Sequence, residues 1–263
     1  ATISALLQQG AGIDQEDSDG YTPLFVASLK GHFDAARLLL DAGAAVDKRR
    51  EGDWSPFGIA CALGHVDVAT LLVERGADSA AVNMCIGGAP PLMFACRQRN
   101  LDAMQLCLAR GADPNWASED GKTILYHACE NGSADAAQLL LDKGAEVDRV
   151  LEKGQWKGAT PLLVACYEGH IDAARLCLDR GADINLAADD GWTPLYAGCS
   201  NGHVAAVRLL LERGAVFEHD SSALCEGDTV EADYCGGGKF YPGKISRDRG
   251  NGKYDIAYDD GDR

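Results

Sequence analysis

Cysteine and histidine, which often act as nucleophiles, bases and metal ligands, recur in this chain at fixed spacing. The 263 residues include ten cysteines and six histidines. Five cysteines lie six residues after the first position of a Thr-Pro-Leu tripeptide or its degraded form: Cys61, Cys96, Cys129, Cys166 and Cys199. Cys107 and Cys177 lie seventeen residues after it. These residue types could form disulfides, a metal site or a catalytic thiol.

The repetition favours a structural role for these side chains. A cysteine at a repeated position is best explained as a small residue packed inside a helix pair, because free cysteine is among the most buried residue types. Four histidines each follow a glycine at one repeated position and are predicted to hydrogen-bond neighbouring backbone: His32, His65, His170 and His203. His127 is also predicted to be packed.

The chain has no catalytic signature. We find no nucleophile with a base at suitable spacing, no phosphate-binding loop and no run of metal ligands. His219, Cys225 and Cys235 lack both a Cys-x-x-Cys pair and a fourth ligand. The sequence therefore predicts a protein that is not an enzyme and that binds no cofactor or metal.

A repeating unit positions these residues. The tripeptide returns at Thr22, Ser55, Pro90, Thr123, Thr160 and Thr193, at intervals of 33, 35, 33, 37 and 33 residues. A period in this range predicts a stacked array of helical repeats. In the fifth unit, Thr160 is expected to cap a helix that begins at Pro161 and ends at Gly169. A second helix is predicted from about Ile171 to Arg180, followed by Gly181.

A Gly-Ala pair closes the second helix of each unit. The pairs begin at Gly10, Gly43, Gly76, Gly111, Gly144, Gly181 and Gly214. This order of motifs resembles the ankyrin repeat, which implies a mainly α solenoid over residues 1–220 with one N-terminal half repeat and six full repeats. The half repeat leads us to expect that Ala1 is not a natural start. The resemblance implies that a partner docks on the concave face, against first helices and the hairpin fingers between repeats.

All four tryptophans lie in predicted fingers, at Trp54, Trp116, Trp156 and Trp192. Tyr21 shares with Trp54 and Trp192 the position before the threonine or its substitute. Large aromatics on an exposed edge are typical of interface anchors, although packing of finger against finger is an equal alternative. As interface anchors, Trp54→Ala and Trp192→Ala would weaken partner capture and barely change thermal stability.

Charged residues and residues of lengthened fingers are further candidates for contact with a partner. Two fingers are lengthened, at residues 84–90 and 149–159, and the second carries Lys153, Trp156 and Lys157. The basic triplet Lys48, Arg49 and Arg50 could take an acidic side chain of a partner, or be a solvated cluster. Side chains of the first helices that are expected to face the groove are Arg97, Tyr126, Glu130, Tyr167 and Glu168.

The last residues, 221–263, follow a different pattern. Alternating apolar residues and glycine-rich turns predict three short strands. Gly-Asp-x-Val, Phe-Tyr-Pro-Gly-Lys-Ile and Tyr-Asp-Ile-x-Tyr-Asp-Asp-Gly-Asp, in this order, resemble Tudor-like barrels, which include readers of methylated Lys or Arg. The resemblance implies an aromatic cage at Tyr234, Tyr241, Tyr258 and Asp262. The chain ends before the final strand of a complete barrel, so a meander that caps the array is the alternative.

Net charge limits the partners. With 40 acidic and 24 basic residues the formal charge is −16, which disfavours direct contact with nucleic acid. No apolar stretch approaches the ~20 residues that span a bilayer, and no signal peptide opens the chain. We predict an intracellular adaptor, cytoplasmic or nuclear, that binds another protein or peptide, including a basic methylated tail, and no membrane. The alternatives are a structural scaffold whose β tail caps the array and a regulatory fragment of a larger enzyme.

Overall fold

The computed structural model describes residues 12–49, 52, 54–78, 82–85, 87–216, 229–233, 240–248 and 254–258. For the last three segments it describes the backbone alone. The predicted half repeat at residues 1–10, the pair that begins at Gly10, and Arg50, Tyr234 and Asp262 lie outside the described residues.

Residues 23–212 form six pairs of short helices, as the spacing of the motifs predicts. The pairs, called repeats 1 to 6, are α1 Pro23–Lys30 with α2 Phe33–Asp41, α3 Pro56–Ala62 with α4 Val66–Glu74, α5 Pro91–Arg97 with α6 Leu101–Ala109, α7 Ile124–Glu130 with α8 Ala134–Asp142, α9 Pro161–Glu168 with α10 Ile171–Asp179, and α11 Pro194–Ser200 with α12 Val204–Glu212. Each helix has seven to nine residues, too short to persist alone in water.

Hydroxyl caps begin five of the six first helices. In repeat 5 the Thr160 hydroxyl accepts a hydrogen bond from Leu163 N at 3.1 Å, and Pro161 opens the helix where its missing N–H costs nothing. Gly169 ends the same helix with φ +76°, a left-handed conformation that favours glycine. Pro90 replaces the capping hydroxyl in repeat 3, and no side-chain cap forms there. The predicted helix start and stop at Thr160 and Gly169 are confirmed.

Stacking of the repeats builds an apolar core that runs along the array. Each first helix packs against its own second helix and against the first helix of each neighbouring described repeat. Six repeat cysteines are buried in the structure: Cys61, Cys96, Cys107, Cys129, Cys166 and Cys177. Cys199, in the last repeat, is half-buried. The prediction that these cysteines are small packing residues is confirmed.

A ladder of Asp and Asn side chains joins successive repeats at the ends of the second helices. Each side chain accepts a hydrogen bond from a backbone N–H two residues after the glycine of the next Gly-Ala pair. The acceptors are Asp14, Asp47, Asn83, Asn115, Asp148 and Asn185. The two central asparagines also donate: Asn83 Nδ2 lies 2.9 Å from Gly111 O, and Asn115 Nδ2 lies 3.1 Å from Gly144 O.

Asp148 cannot make the second bond of this ladder. Its Oδ2 accepts from Asp183 N at 3.0 Å, but Oδ1 is buried and has no partner. An asparagine would present an amide donor toward Gly181 O, so we expect Asp148→Asn to raise the free energy of unfolding by about 1 kcal/mol in urea titrations. The reverse change, Asn115→Asp, should lower it by a similar amount. A neutral result for both would contradict this account of the ladder.

Three strands follow the helical array in sequence. β1 Thr229–Asp233, β2 Phe240–Asp248 and β3 Tyr254–Tyr258 form an antiparallel sheet in the order β1-β2-β3. Ala232 pairs with Tyr241, and Gly243 pairs with Tyr258. The register shifts between Ile245 and Arg247. A Tudor-like barrel and the division at residue 220 stay predictions.

Candidate partner-binding surface

The segments that join the repeats form fingers that stack on one another. In the lengthened finger, residues 149–159, Leu151 N donates to Ala159 O at 3.0 Å and Gly158 N donates to Leu151 O at 2.8 Å. This finger then bonds to both neighbours: Glu152 N donates to Asp120 O at 3.0 Å, and Asp189 N donates to Lys157 O at 3.0 Å. These bonds fix the spacing of three consecutive fingers.

The stacked fingers bring four aromatic side chains together, which we call the aromatic row: Trp156, Tyr167, Trp192 and Tyr196. The ring centroids of Trp156 and Tyr167 lie 4.6 Å apart, those of Trp156 and Trp192 lie 5.6 Å apart, and those of Trp192 and Tyr196 lie 4.8 Å apart. All three contacts are edge-to-face, the arrangement that the ring quadrupoles favour. The row thus spans two repeats and joins two fingers to the first helices α9 and α11.

The row is partly open to solvent. Trp156, Tyr167 and Trp192 are half-buried, and Tyr196 is 43% exposed. Carboxylates border it, since Glu168 is exposed beside Tyr167 and the Asp190 carboxylate accepts a hydrogen bond from Trp192 N at 3.2 Å. Lys157 Nζ pairs with Asp189 Oδ2 at 2.6 Å. The geometry offers aromatic surface with negative charge at its edges.

Repeat 4 carries a polar cluster at the positions that Trp192 and Tyr196 occupy in repeat 6. Lys122 Nζ lies 3.0 Å from Glu130 Oε1 and 5.3 Å from the ring centroid of Tyr126. His127 Nδ1 lies 3.2 Å from Glu130 Oε2. The hydrogen bond from His127, helped by Lys122, lowers the pKa of Glu130 to about 2. Burial and the nearby carboxylates of Glu130 and Glu168 raise the pKa of Tyr126.

This cluster makes the free energy of unfolding fall as the pH is lowered into the acid range. The folded-state pKa of Glu130 lies below its ordinary value of 4.5, so its stabilising effect is complete above that value and lost as the pH falls toward 2. We expect Glu130→Gln to lower the free energy of unfolding at pH 7 by about 1–2 kcal/mol, since the site is partly screened. Denaturant titrations at pH 7 and pH 3 check this: the difference from wild type should shrink at pH 3. Glu146→Gln, an exposed change in the same repeat, should show no such trend.

Two residues that were predicted as partner contacts are buried. Trp54 is only 6% exposed and Tyr126 only 3%. Trp54 Nε1 donates to Met84 O at 3.0 Å, and its ring meets Phe94 edge-on at 5.0 Å. The alternative of finger packing therefore applies to Trp54, because the next repeat and the lengthened finger at residues 84–90 cover its indole.

The other predicted contact residues are spread along the array. Tyr21 stacks on Phe25 with centroids 4.8 Å apart, and Trp116 is half-buried against the core. Lys48 Nζ bonds to Asp14 O at 2.9 Å and to Glu16 at 3.2 Å. Arg49 and Arg97 are both exposed. Arg49 donates a hydrogen bond to Met84 Sδ. The guanidinium carbon of Arg97 lies 6.0 Å from the Phe94 ring centroid. Among the predicted residues that the structure describes, Trp156, Tyr167 and Trp192 come together in the aromatic row, and partner binding by any member of the set stays a prediction.

Among the described histidines and cysteines, His65, Cys96 and Cys166 have surroundings that indicate a structural role. His65 Nε2 lies 3.2 Å from Leu29 O, and its ring covers Gly31, where an added Cβ would lie 2.5 Å from Nδ1. Burial raises the pKa of Cys96 and of Cys166 to about 12, so neither forms a thiolate at neutral pH. Within the described part of the chain, no three His, Cys, Asp or Glu side chains form a group that could hold a metal ion. Nor is any described helix long and apolar enough to cross a lipid bilayer.

Tyr196, the most exposed member of the row, was missed by the sequence reasoning. It lies three residues after Thr193, the position that Tyr126 occupies after Thr123. A tyrosine at this position, four residues after Trp192, is the signal that could have revealed it.

Comparison with known proteins identifies the family. The family model described as ankyrin repeats in three copies matches residues 1–83, 79–151 and 147–220. The chain therefore belongs to the ankyrin repeat family, whose members bind other proteins. The fold is typically a non-enzymatic interaction module. No match to a curated protein was found.

Solved ankyrin repeat domains share the fold. A domain from Acinetobacter baumannii AYE is 29% identical, over 73% of this chain and 98% of the other, with a TM-score of 0.64. The domain of human ASB11 is 28% identical, over 75% and 86%, with a TM-score of 0.62. The domain of Bcl-3, a member of the IkappaB protein family, is 27% identical, over 79% and 90%, with a TM-score of 0.63.

Proposed function

We propose that this protein is an interaction adaptor that docks a partner protein on the fingers and first helices of repeats 5 and 6. The observation that carries the proposal is the aromatic row, whose tyrosine and tryptophan rings stay partly exposed instead of packing fully into the core. Aromatic side chains held rigidly at a partly open surface are the usual anchors of protein interfaces. The lengthened finger supports this, because insertions into a repeat scaffold concentrate binding residues. Intracellular location and a non-catalytic role belong to the same proposal.

Affinity capture with matched variants tests it. The intact chain is immobilised as wild type, as the double variant Trp192→Ala/Tyr196→Ala, and as Leu211→Ala, a control at a 52% exposed residue on the second helix of the same repeat. We expect at least one captured protein to be lost with the double variant and retained with the control. That protein is then purified and titrated calorimetrically against all three chains. Equal affinity for all three would refute the docking site.

The Tudor-like segment is a second candidate site, for a methylated Lys or Arg. It is favoured by the strand register, because Gly243 pairs with Tyr258 and Tyr241 lies two residues from Gly243 on the same strand. Two of the four cage positions thus come close along neighbouring strands. A methylated histone-peptide array probed with wild type and with Tyr241→Ala tests the idea. Methyl-dependent binding lost in the variant supports a reader. Unchanged binding with a lower melting temperature supports a cap instead.

A further inference from the structure

Repeat 4 shows how this chain itself holds a cation. The ammonium of Lys122 lies 5.3 Å from the ring centroid of Tyr126 and 3.0 Å from a Glu130 carboxylate oxygen. An aromatic face attracts a cation through its quadrupole, and a neighbouring carboxylate adds Coulombic attraction. The ammonium lies over the ring, and Tyr126 is 3% exposed.

Repeat 6 has a tyrosine ring at the position of Tyr126 but no lysine at the position of Lys122. In register, Trp192 takes the position of Lys122, and Tyr196 takes the position of Tyr126. Tyr196 is 43% exposed, and no described Lys or Arg lies over its ring or over that of Trp192. The second aromatic ring thus replaces the lysine, and Tyr196 stays exposed while Trp192 is half-buried.

Acidic groups lie on the elements that carry the row. Glu168 follows Tyr167 on α9 and is exposed. Asp190 lies at the finger and accepts the Trp192 N–H at 3.2 Å. Neither carboxylate forms an ion pair with a described residue. The chain as a whole carries a formal charge of −16, so the electrostatic field favours a basic partner.

We propose that the aromatic row binds an arginine side chain in a basic peptide segment of the partner, with the guanidinium stacked on the exposed Tyr196 ring beside Trp192 and attracted by Glu168 and Asp190. This inference rests on the proposed function and names the chemistry of the docked segment. Arginine fits better than lysine, because its planar and weakly hydrated guanidinium stacks on aromatic faces. Nucleic acid does not fit, since its phosphates would meet the same carboxylates.

A defined peptide tests the inference without knowledge of the natural partner. The probe is a fluorescein-labelled peptide of four Gly-Ser-Arg units, compared with peptides in which citrulline or lysine replaces every arginine. Fluorescence anisotropy is recorded on the full-length chain at low salt and at physiological salt. We expect the arginine peptide to bind severalfold more tightly than the lysine peptide, and the uncharged citrulline peptide to bind at least tenfold more weakly.

Matched variants locate the site. Tyr196→Ala should weaken binding of the arginine peptide about tenfold, and Tyr196→Phe should keep it, because the ring face is the attracting group. Tyr196→Phe thus separates the effect of the ring from that of the hydroxyl. Glu168→Gln/Asp190→Asn should weaken binding severalfold at low salt and less at high salt, as screening predicts. Glu146→Gln/Glu212→Gln removes the same charge elsewhere and should have little effect.

Three results would overturn the inference: equal affinity for the arginine and citrulline peptides, equal affinity for the arginine and lysine peptides, or full affinity in Tyr196→Ala. These outcomes are distinct from failure of the proposed function. If a purified partner still depends on Trp192 and Tyr196 while the arginine peptide does not, docking stands and the arginine assignment falls. If neither depends on these residues, both fall.

Discussion

Trp54→Ala should lower the free energy of unfolding by about 3–5 kcal/mol, as loss of a fully packed large aromatic does. The change removes an indole that is 6% exposed, its hydrogen bond to Met84 O and its edge-on contact with Phe94. Because these partners come from the next finger and the next repeat, the substitution weakens the interface between repeats 2 and 3 and not only the helix that follows Trp54. Repeat arrays unfold by such nearest-neighbour units.

Chemical denaturation and hydrogen exchange measure this effect. The unfolding midpoint should fall, and amides of repeats 1 to 3 should exchange faster than those of repeats 4 to 6. Trp54→Phe, which keeps a ring but no N–H, should cost less than half as much. Trp192→Ala is the matched comparison from the same repeat position. Because the Trp192 ring is only half-buried, this variant should lose less free energy of unfolding than Trp54→Ala. A melting temperature of Trp54→Ala within a degree or two of wild type would contradict the burial.

Gly158→Ala should lower the free energy of unfolding by about 2–4 kcal/mol, combining backbone strain with overpacking. Gly158 has φ +85°, and an added Cβ would lie 2.6 Å from Asp189 N and 2.9 Å from Ala188 Cα. Backbone atoms cannot rotate away, so the finger of repeat 6 must shift. That shift strains the hydrogen bond from Asp189 N to Lys157 O, which is 3.0 Å long.

Gly154→Ala provides a control in the same finger. Gly154 has a similar φ of +89° but no atom within 4 Å of an added Cβ, so only the strain of about 1–2 kcal/mol remains. Comparison of the two variants in denaturant titrations isolates the contact between fingers. We also expect Gly158→Ala, and not Gly154→Ala, to weaken binding at the aromatic row, since Trp156 and Trp192 lie on the two fingers that separate. Equal stability of the two variants would show that the fingers are not tightly stacked.

The local features were the predictable ones. Thr160 and Gly169 mark the start and end of a helix through their own capping chemistry, which depends on residues within one turn. The repeat period then placed the remaining helices, because each unit obeys the same short-range rules. The cysteines and His65 were read correctly for the same reason, since a repeated position has a repeated environment.

The candidate site was predictable only in part. Trp54 and Trp192 occupy one repeat position and were expected to behave alike. In repeat 2 the residue three after Ser55 is Gly58, which lies beneath the indole: an added Cβ there would be 3.3 Å from Trp54 Cβ. Phe94 and Met84 then cover the other side. In repeat 6 the corresponding residue is Tyr196, which holds Trp192 outward at a centroid distance of 4.8 Å.

The sequence alone determined the ankyrin family, the number of helix pairs and the ends of their helices, because caps, glycines and the repeat period act over a few residues. Only the tertiary structure decided which aromatic rings are buried and which meet in one row. That choice depends on side chains about 30 residues away in sequence, brought into contact by stacking of one repeat on the next. The distinction between a packed Trp54 and a partly open row at Trp192 and Tyr196 is therefore a property of the assembled array.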